Sequence, residues 1–161
     1  MAKILKAIPT TYHGIEFRSK LEAKYAQAFD KLNIVWEYES HGFRFDDGTC
    51  YCPDFYMPEI DTYFEVKGVM DDASYHKICL LAKEVFELGT RIVVGYPDGS
   101  IELSEDSREW SHIGICENCG KAIFWSDMGD YTCPFCGEYD GNPTTLYGFE
   151  DETNLFKMVG W

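Results

Sequence analysis

The sequence predicts an α/β protein in which a mixed β-sheet is flanked by helices and followed by a small cysteine-bound module. Three observations carry this. Two helix-patterned stretches bracket a series of short strand-like runs within the first 104 residues. Beyond residue 112 the composition turns to Cys, Gly and acidic residues. Two CxxC pairs lie in that second part. With 161 residues the chain can form one domain of about 100–150 residues plus a small module. The expected organisation is a domain over 1–104, a cysteine module over 113–140 and a tail over 141–161.

Residues 1–14 read as an irregular arm containing Pro9 and Gly14. From 17 to 32 the pattern is helical: Phe17, Leu21, Tyr25, Ala28, Phe29 and Leu32 recur at helical steps with no Gly or Pro between them, and Asn33 reads as the stop. Residues 34–38 and 43–45 read as short strands, with a turn at Asp47 and Gly48. Residues 49–57 form an extended run broken by Pro53, which cannot donate to a central ladder. A turn at 58–61 leads into a strand over 62–67, ended by Gly68. A second helix is expected over 73–88 with Gly89 as its cap. Strands at 91–95 and 101–103 follow, separated by a turn at 97–99.

Formal net charge is −14, which argues against generic nucleic-acid binding, because phosphate contacts need Lys and Arg. The charge is uneven. Residues 1–35 hold six basic residues against three acids, and residues 101–161 hold three against twelve. A polyanion would therefore meet the N-terminal half, and a protein partner the acidic C-terminal half. No stretch reaches the roughly 18 apolar residues of a membrane span, and no secretory signal is visible, so a cytoplasmic protein is the expectation.

Of seven cysteines, Cys116, Cys119, Cys133 and Cys136 form two matching knuckles, each followed by Gly. Each CxxC lets a tight turn present two thiolates to one ion, and the Gly permits the backbone conformation that aims amides at the sulfurs. Thirteen residues separate the pairs, room for a hairpin of 122–125 with 130–132. This predicts a four-cysteine zinc ribbon. Four protein ligands leave no open position, so the zinc is structural. The ribbon either caps the first domain or binds a substrate or partner.

The other informative stretch pairs Pro53 and Asp54 with Glu65, Val66 and Lys67. Strand alternation puts Glu65 and Lys67 on one face and Phe64 and Val66 on the other. The turn at 58–61 folds Asp54 back beside that strand. Two carboxylates about 5 Å apart repel by roughly 3 kcal/mol at an effective dielectric near 20, which Lys67 offsets in part and a divalent cation offsets further. Hard oxygen ligands suit Mg2+ or Mn2+. A cation on Asp54 and Glu65, with Lys67 to orient water or stabilise developing charge, spells phosphodiester hydrolysis.

The pattern PD-x(10)-ExK resembles the PD-(D/E)XK nuclease superfamily, with its restriction-endonuclease-like core. Together with an upstream RSxLE helix, the set RSxLE, YxPDFxxP and EVKG is similar to phage Holliday-junction resolvases of the endonuclease I type and related small phage nucleases, over about residues 12–96. The resemblance implies a Mg2+-dependent DNA endonuclease, acting on branched or flapped DNA in phage replication or recombination, and a homodimer. It adds Glu22 as a fourth catalytic residue that binds metal or metal-bound water. The acidic zinc ribbon departs from that family.

Local readings stand beside these. Ser19 and Glu22 form a capping-box pattern, so Glu22 could equally bond back to the helix start. Arg18, Lys20 and Lys77 are candidate substrate-binding residues, Arg18 and Lys20 near the start of the first helix and Lys77 in the second, beside His76. Cys50 and Cys52 share a strand face and read as packing. RNA is open as a substrate. The alternative function is a nuclease-fold binding module, a binder of protein partners or a DNA mimic without catalysis.

Overall fold

The structure is a computed structural model and describes residues 7–103, 109–110, 112–125, 132–137 and 154–161. In chain order the elements are β1 (Thr10–Tyr12), β2 (Ile15–Phe17), α1 (Lys20–Lys31), β3 (Glu37–Tyr38), β4 (Phe43–Arg44), β5 (Cys50–Tyr51), β6 (Phe55–Met57) and β7 (Thr62–Val66). They continue with α2 (Asp72–Val85), a 3-10 turn at Phe86–Leu88, β8 (Arg91–Gly95), β9 (Ile101–Leu103), β10 (Glu109–Trp110), β11 (His112–Ile115), β12 (Ala122–Trp125) and α3 (Leu155–Met158).

The N-terminal arm is more ordered than its sequence suggested. β1 and β2 pair as an antiparallel hairpin, with Tyr12 opposite Ile15. The turn residues His13 and Gly14 have φ of 47° and 78°, and two successive positive φ values give the backbone twist that suits a two-residue hairpin. The helix accordingly starts at Lys20 rather than 17. Ser19 caps it in extended conformation, its side chain accepting from the Glu22 amide. Phe17 belongs to β2, yet its ring is fully buried.

A six-stranded sheet runs in the order β10-β9-β8-β7-β6-β3. Only β7 and β8 are parallel, and α2 makes the crossover between them. Alternation along β7 divides the core. Phe64 and Val66 pack with Tyr25 and Phe29 of α1, whereas Tyr63 packs with Ile78, Leu81 and Val85 of α2. The two helices therefore cover opposite faces, which makes the mixed sheet flanked by helices. The run at 49–57 splits in two at Pro53: β5 pairs with β4 in a separate two-stranded sheet, and β6 joins the main one.

The cysteine-bearing segment shares that core. Ile113, Ile115, Ala122 and Phe124 belong to the same buried cluster as Phe17 and Phe29. The Phe124 ring lies 5.9 Å from Phe64, and the Arg91 guanidinium donates to the Phe124 carbonyl. β12 pairs antiparallel with β11, the strand before the first knuckle, with Ile115 opposite Ala122, a pairing the sequence did not suggest beside the one expected with 130–132. Of those residues, 130 and 131 lie outside the described ones, as do Lys3, Lys6 and the stretch 138–153.

Within the tail, residues 154–161 dock on their own chain. The Leu155 amide donates to the Gly99 carbonyl at 2.8 Å, and the Asn154 side-chain amide donates to the Asp98 carbonyl at 3.0 Å. The Phe156 ring lies 4.6 Å from that of Tyr25, tilted by 37°. Tyr25 in turn crosses β8 at Gly95, where an added Cβ would meet the tips of Tyr25 and Phe64 at 2.6 Å. No helix among the described residues is long and apolar enough to cross a membrane.

Candidate active site

The register of β6 on β7 pairs Phe55 with Phe64, which brings the residue before β6 beside Glu65. The two carboxylates clasp each other's backbone there. The Val66 amide donates to Asp54 Oδ2 at 2.8 Å, and the Asp54 amide donates to Glu65 Oε2 at 3.2 Å. The same Oε2 accepts from the Tyr51 hydroxyl at 2.7 Å. Asp54 and Glu65 are 2% and 4% exposed, so neither charge is screened by solvent.

Each acid then has a cationic side chain on its other oxygen. Lys67 Nζ lies 2.6 Å from Glu65 Oε1, and Arg18 Nη2 lies 2.6 Å from Asp54 Oδ1. Arg18 Nε also pairs with Glu39 Oε1 at 2.7 Å. Arg18, expected as a phosphate ligand, is thus an internal counter-ion of Asp54. Lys67 and Glu65 share one face, as alternation required.

Glu22 takes up the capping reading and also lies buried behind Asp54. Its Oε1 accepts from the Ser19 hydroxyl at 2.8 Å and its Oε2 from the Arg18 amide at 3.2 Å. This is a capping box whose back-bond reaches one residue further upstream than the usual pattern. The Tyr38 hydroxyl donates to Oε2 at 2.6 Å. Glu22 is also buried, and near enough to raise the proton affinity of Asp54.

The electrostatics show a site short of positive charge. Burial first, then the charge of Glu65, pushes the Asp54 carboxyl well above the usual carboxylate range, against the pull of the Val66 amide and Arg18. Four carboxylates, Glu22, Glu39, Asp54 and Glu65, face two cations, Arg18 and Lys67. Surroundings that raise affinity for a proton raise it for any cation that reaches the same oxygens. Burial and Glu65 push the Tyr51 phenol up, so it stays a donor.

The remaining predicted residues lie further out. Lys20 is exposed at the start of α1. Lys77, half-buried on α2, adds to Lys67 in holding the Asp71 carboxyl below its ordinary value, after the Ser74 backbone and side-chain bonds. His76 pairs with Asp47 at 3.0 Å. Cys50 is exposed rather than packed. Two other lysines of the first helix sit against rings: half-buried Lys24, its Nζ 3.9 Å from the Phe156 ring centre, and exposed Lys31, its Nζ 4.4 Å from that of Trp161. Tyr38, Tyr51 and Glu39 escaped the sequence reading. Their only signal was proximity to the acid motifs, and nothing in a lone Tyr or Glu marks a partner.

The cysteines gather more tightly. Cys116 Sγ lies 3.7 Å from Cys136 Sγ, and Cys119 Sγ 3.6 Å from Cys133 Sγ. A tetrahedral zinc with Zn–S bonds of about 2.3 Å has S···S edges of about 3.8 Å, whereas a disulfide needs about 2.05 Å. The knuckles repeat each other: Gly120 donates to the Cys116 carbonyl and Gly137 to the Cys133 carbonyl, with φ of 73° and 72°. Four thiolates cannot share that space on their own. Burial opposes ionisation of Cys133, but the Cys136 and Phe135 amides and neighbouring thiols hold it down to about 6, while burial and the other thiols push Cys119 up to about 12. The cluster can hold a metal ion such as zinc. Among the described residues it is the one group of three or more such ligands whose ligating atoms all lie within 4.8 Å of one another. Glu22, Asp54 and Glu65 are more loosely gathered.

No family model matches the chain, and no curated protein matches it.

Proposed function

We propose that the chain is a metal-dependent endonuclease that hydrolyses phosphodiester bonds in DNA, built on a PD-(D/E)XK core and braced by a structural zinc on Cys116, Cys119, Cys133 and Cys136. One observation carries the reading. Asp54 and Glu65 are buried side by side, each with one oxygen pinned by hydrogen-bond donors and the other turned to a cationic side chain. An ordinary solvated strand face has no need of that arrangement, and burying two carboxylates together costs several kcal/mol unless cations answer them.

The donor set is all oxygen and short of positive charge, which fits Mg2+ or Mn2+. Such a cation, when bound by Asp54 and Glu65, polarises a phosphoryl oxygen and acidifies a water. Tyr51 and the Asp54 amide hold the Glu65 carboxylate in orientation, and the Val66 amide does the same for Asp54. Lys67, with its side chain 21% exposed, reaches the site edge, where its ammonium stabilises developing negative charge or orients the attacking water. Glu22, fixed by Ser19 and Tyr38, adds negative charge behind Asp54 and a further acceptor for water.

The test is cleavage of labelled linear duplex, single strand, flap and four-way junction with Mg2+, Mn2+ or EDTA, beside Glu65→Ala. Metal-dependent cutting that vanishes in the variant is expected, and the preferred DNA names the substrate. Absence of cutting by folded, zinc-loaded protein would overturn the reading. The net charge of −14 favours one other function, a binding module for a protein partner. Asp54→Ala separates the two, because partner binding survives it and cleavage does not.

A further inference from the structure

We propose that Arg18 gates this site: its guanidinium holds Asp54 Oδ1 until a divalent cation claims that oxygen, and is thereby released toward the substrate phosphate. The inference rests on the nuclease reading above.

The oxygens sort into two kinds. Asp54 Oδ2 and Glu65 Oε2 are held by the Val66 amide, the Tyr51 hydroxyl and the Asp54 amide. The two amides are backbone in or beside strands, and the Tyr51 ring is buried, so these donors stay in place. Asp54 Oδ1 and Glu65 Oε1 are held by the ends of long cationic side chains. These two oxygens are the ones open to exchange, and the two cations covering them carry the charge of one divalent ion.

Arg18 is the one that yields. Its side chain is 61% exposed while that of Asp54 is 3% exposed, so the guanidinium reaches in from solvent. Its backbone is fixed, because the Arg18 amide donates to Glu22 Oε2 and to the Tyr38 hydroxyl, both at 3.2 Å. Only the side chain has to move. Glu39 Oε1, on Arg18 Nε at 2.7 Å, is a pivot that keeps the guanidinium at the mouth after it leaves Asp54. Lys67 is less free: its side chain is 21% exposed and its amide is tied to the Gly95 carbonyl. A guanidinium released at the mouth presents a planar fork that matches phosphate oxygens.

The experiment is Mn2+ binding to the zinc-loaded full chain without nucleic acid, by electron paramagnetic resonance and calorimetry. The proteins are wild type, Arg18→Gln, Arg18→Lys and Asp54→Asn. Arg18→Gln is expected to tighten Mn2+ binding by roughly two- to fivefold, the worth of a partly exposed ion pair. Arg18→Lys is expected to tighten it less, and Asp54→Asn to abolish it. With Ca2+ in place of Mg2+, Arg18→Gln is expected to bind a short DNA duplex more weakly than wild type. Equal or weaker Mn2+ binding in both Arg18 variants, with Asp54→Asn still abolishing it, overturns the gate and leaves the nuclease reading standing. Absence in wild type of any Mn2+ site that Asp54→Asn removes overturns the nuclease reading and the gate with it.

Discussion

The carboxylate site and the cysteine cluster solve the same problem, crowding like charges, in opposite ways. The carboxylate site draws on residues from Arg18 to Lys67 and brings two cations of its own. The cysteine cluster lies within 116–136, and its thiols face one another and backbone amides. A site with internal counter-ions can fold first and take a metal later. A cluster of close thiols gains most from a metal that binds as the chain folds. On the proposed reading, the first suits an exchangeable, working ion and the second a permanent one.

The sharpest way to break this comparison is to remove the cysteine-bound metal. Chelation, or Cys133→Ala, is expected to cost several kcal/mol. Because Ile113, Ile115, Ala122 and Phe124 share the main core, the loss should appear in the melting of the whole protein. Metal analysis should find one zinc per chain, and an unchanged melting curve after its removal would refute the assignment. At the carboxylate site the same intervention should do the reverse. On the proposed reading, Asp54→Asn is expected to lower cleavage at least about a thousandfold and to leave metal-free stability unchanged or raised by up to about 1 kcal/mol, because it relieves a buried repulsion. A large loss of stability in chemical denaturation would mean that Asp54 is structural.

Smaller effects sharpen the picture around the two sites. Gly95→Ala is expected to destabilise by about 1–3 kcal/mol, because the new methyl meets Tyr25 and Phe64 where neither ring has room to retreat. Urea titration measures it. Asn154→Ala removes the α3 cap, whose Oδ1 accepts from the Phe156 and Lys157 amides at 3.1 Å. It is expected to cost about 1 kcal/mol and to raise hydrogen exchange at the Leu155 amide first.

Much of this architecture was legible in the sequence, and the reasons are physical. Helical periodicity located α1 and α2 because each buries one stripe. The alternation in β7 put Glu65 and Lys67 on one side because its neighbours Phe64 and Val66 had to reach the core. The knuckles were legible because four ligands of one kind sit at fixed spacing. What escaped was set by contacts distant in sequence. The hairpin at 10–17 depends on His13 adopting a positive φ, which no propensity for His announces. The pairing of β12 with β11 reflects burial of both strands against a core built elsewhere. Arg18 on Asp54 spans 36 positions, and a surface arginine carries no mark of its partner.

That long span has a consequence in time. β6 and β7 are joined by residues 58–61 alone, and hairpins of this kind close in about 1–10 μs. Arg18 arrives only after a far larger loop has closed and α1 has docked, which is entropically slower. The two acids thus meet early in folding with only Lys67 beside them, and their repulsion opposes the hairpin that brings them together. On the proposed reading, a divalent cation in the refolding buffer lifts that opposition at the start, so it acts on the rate of folding as well as on the final stability.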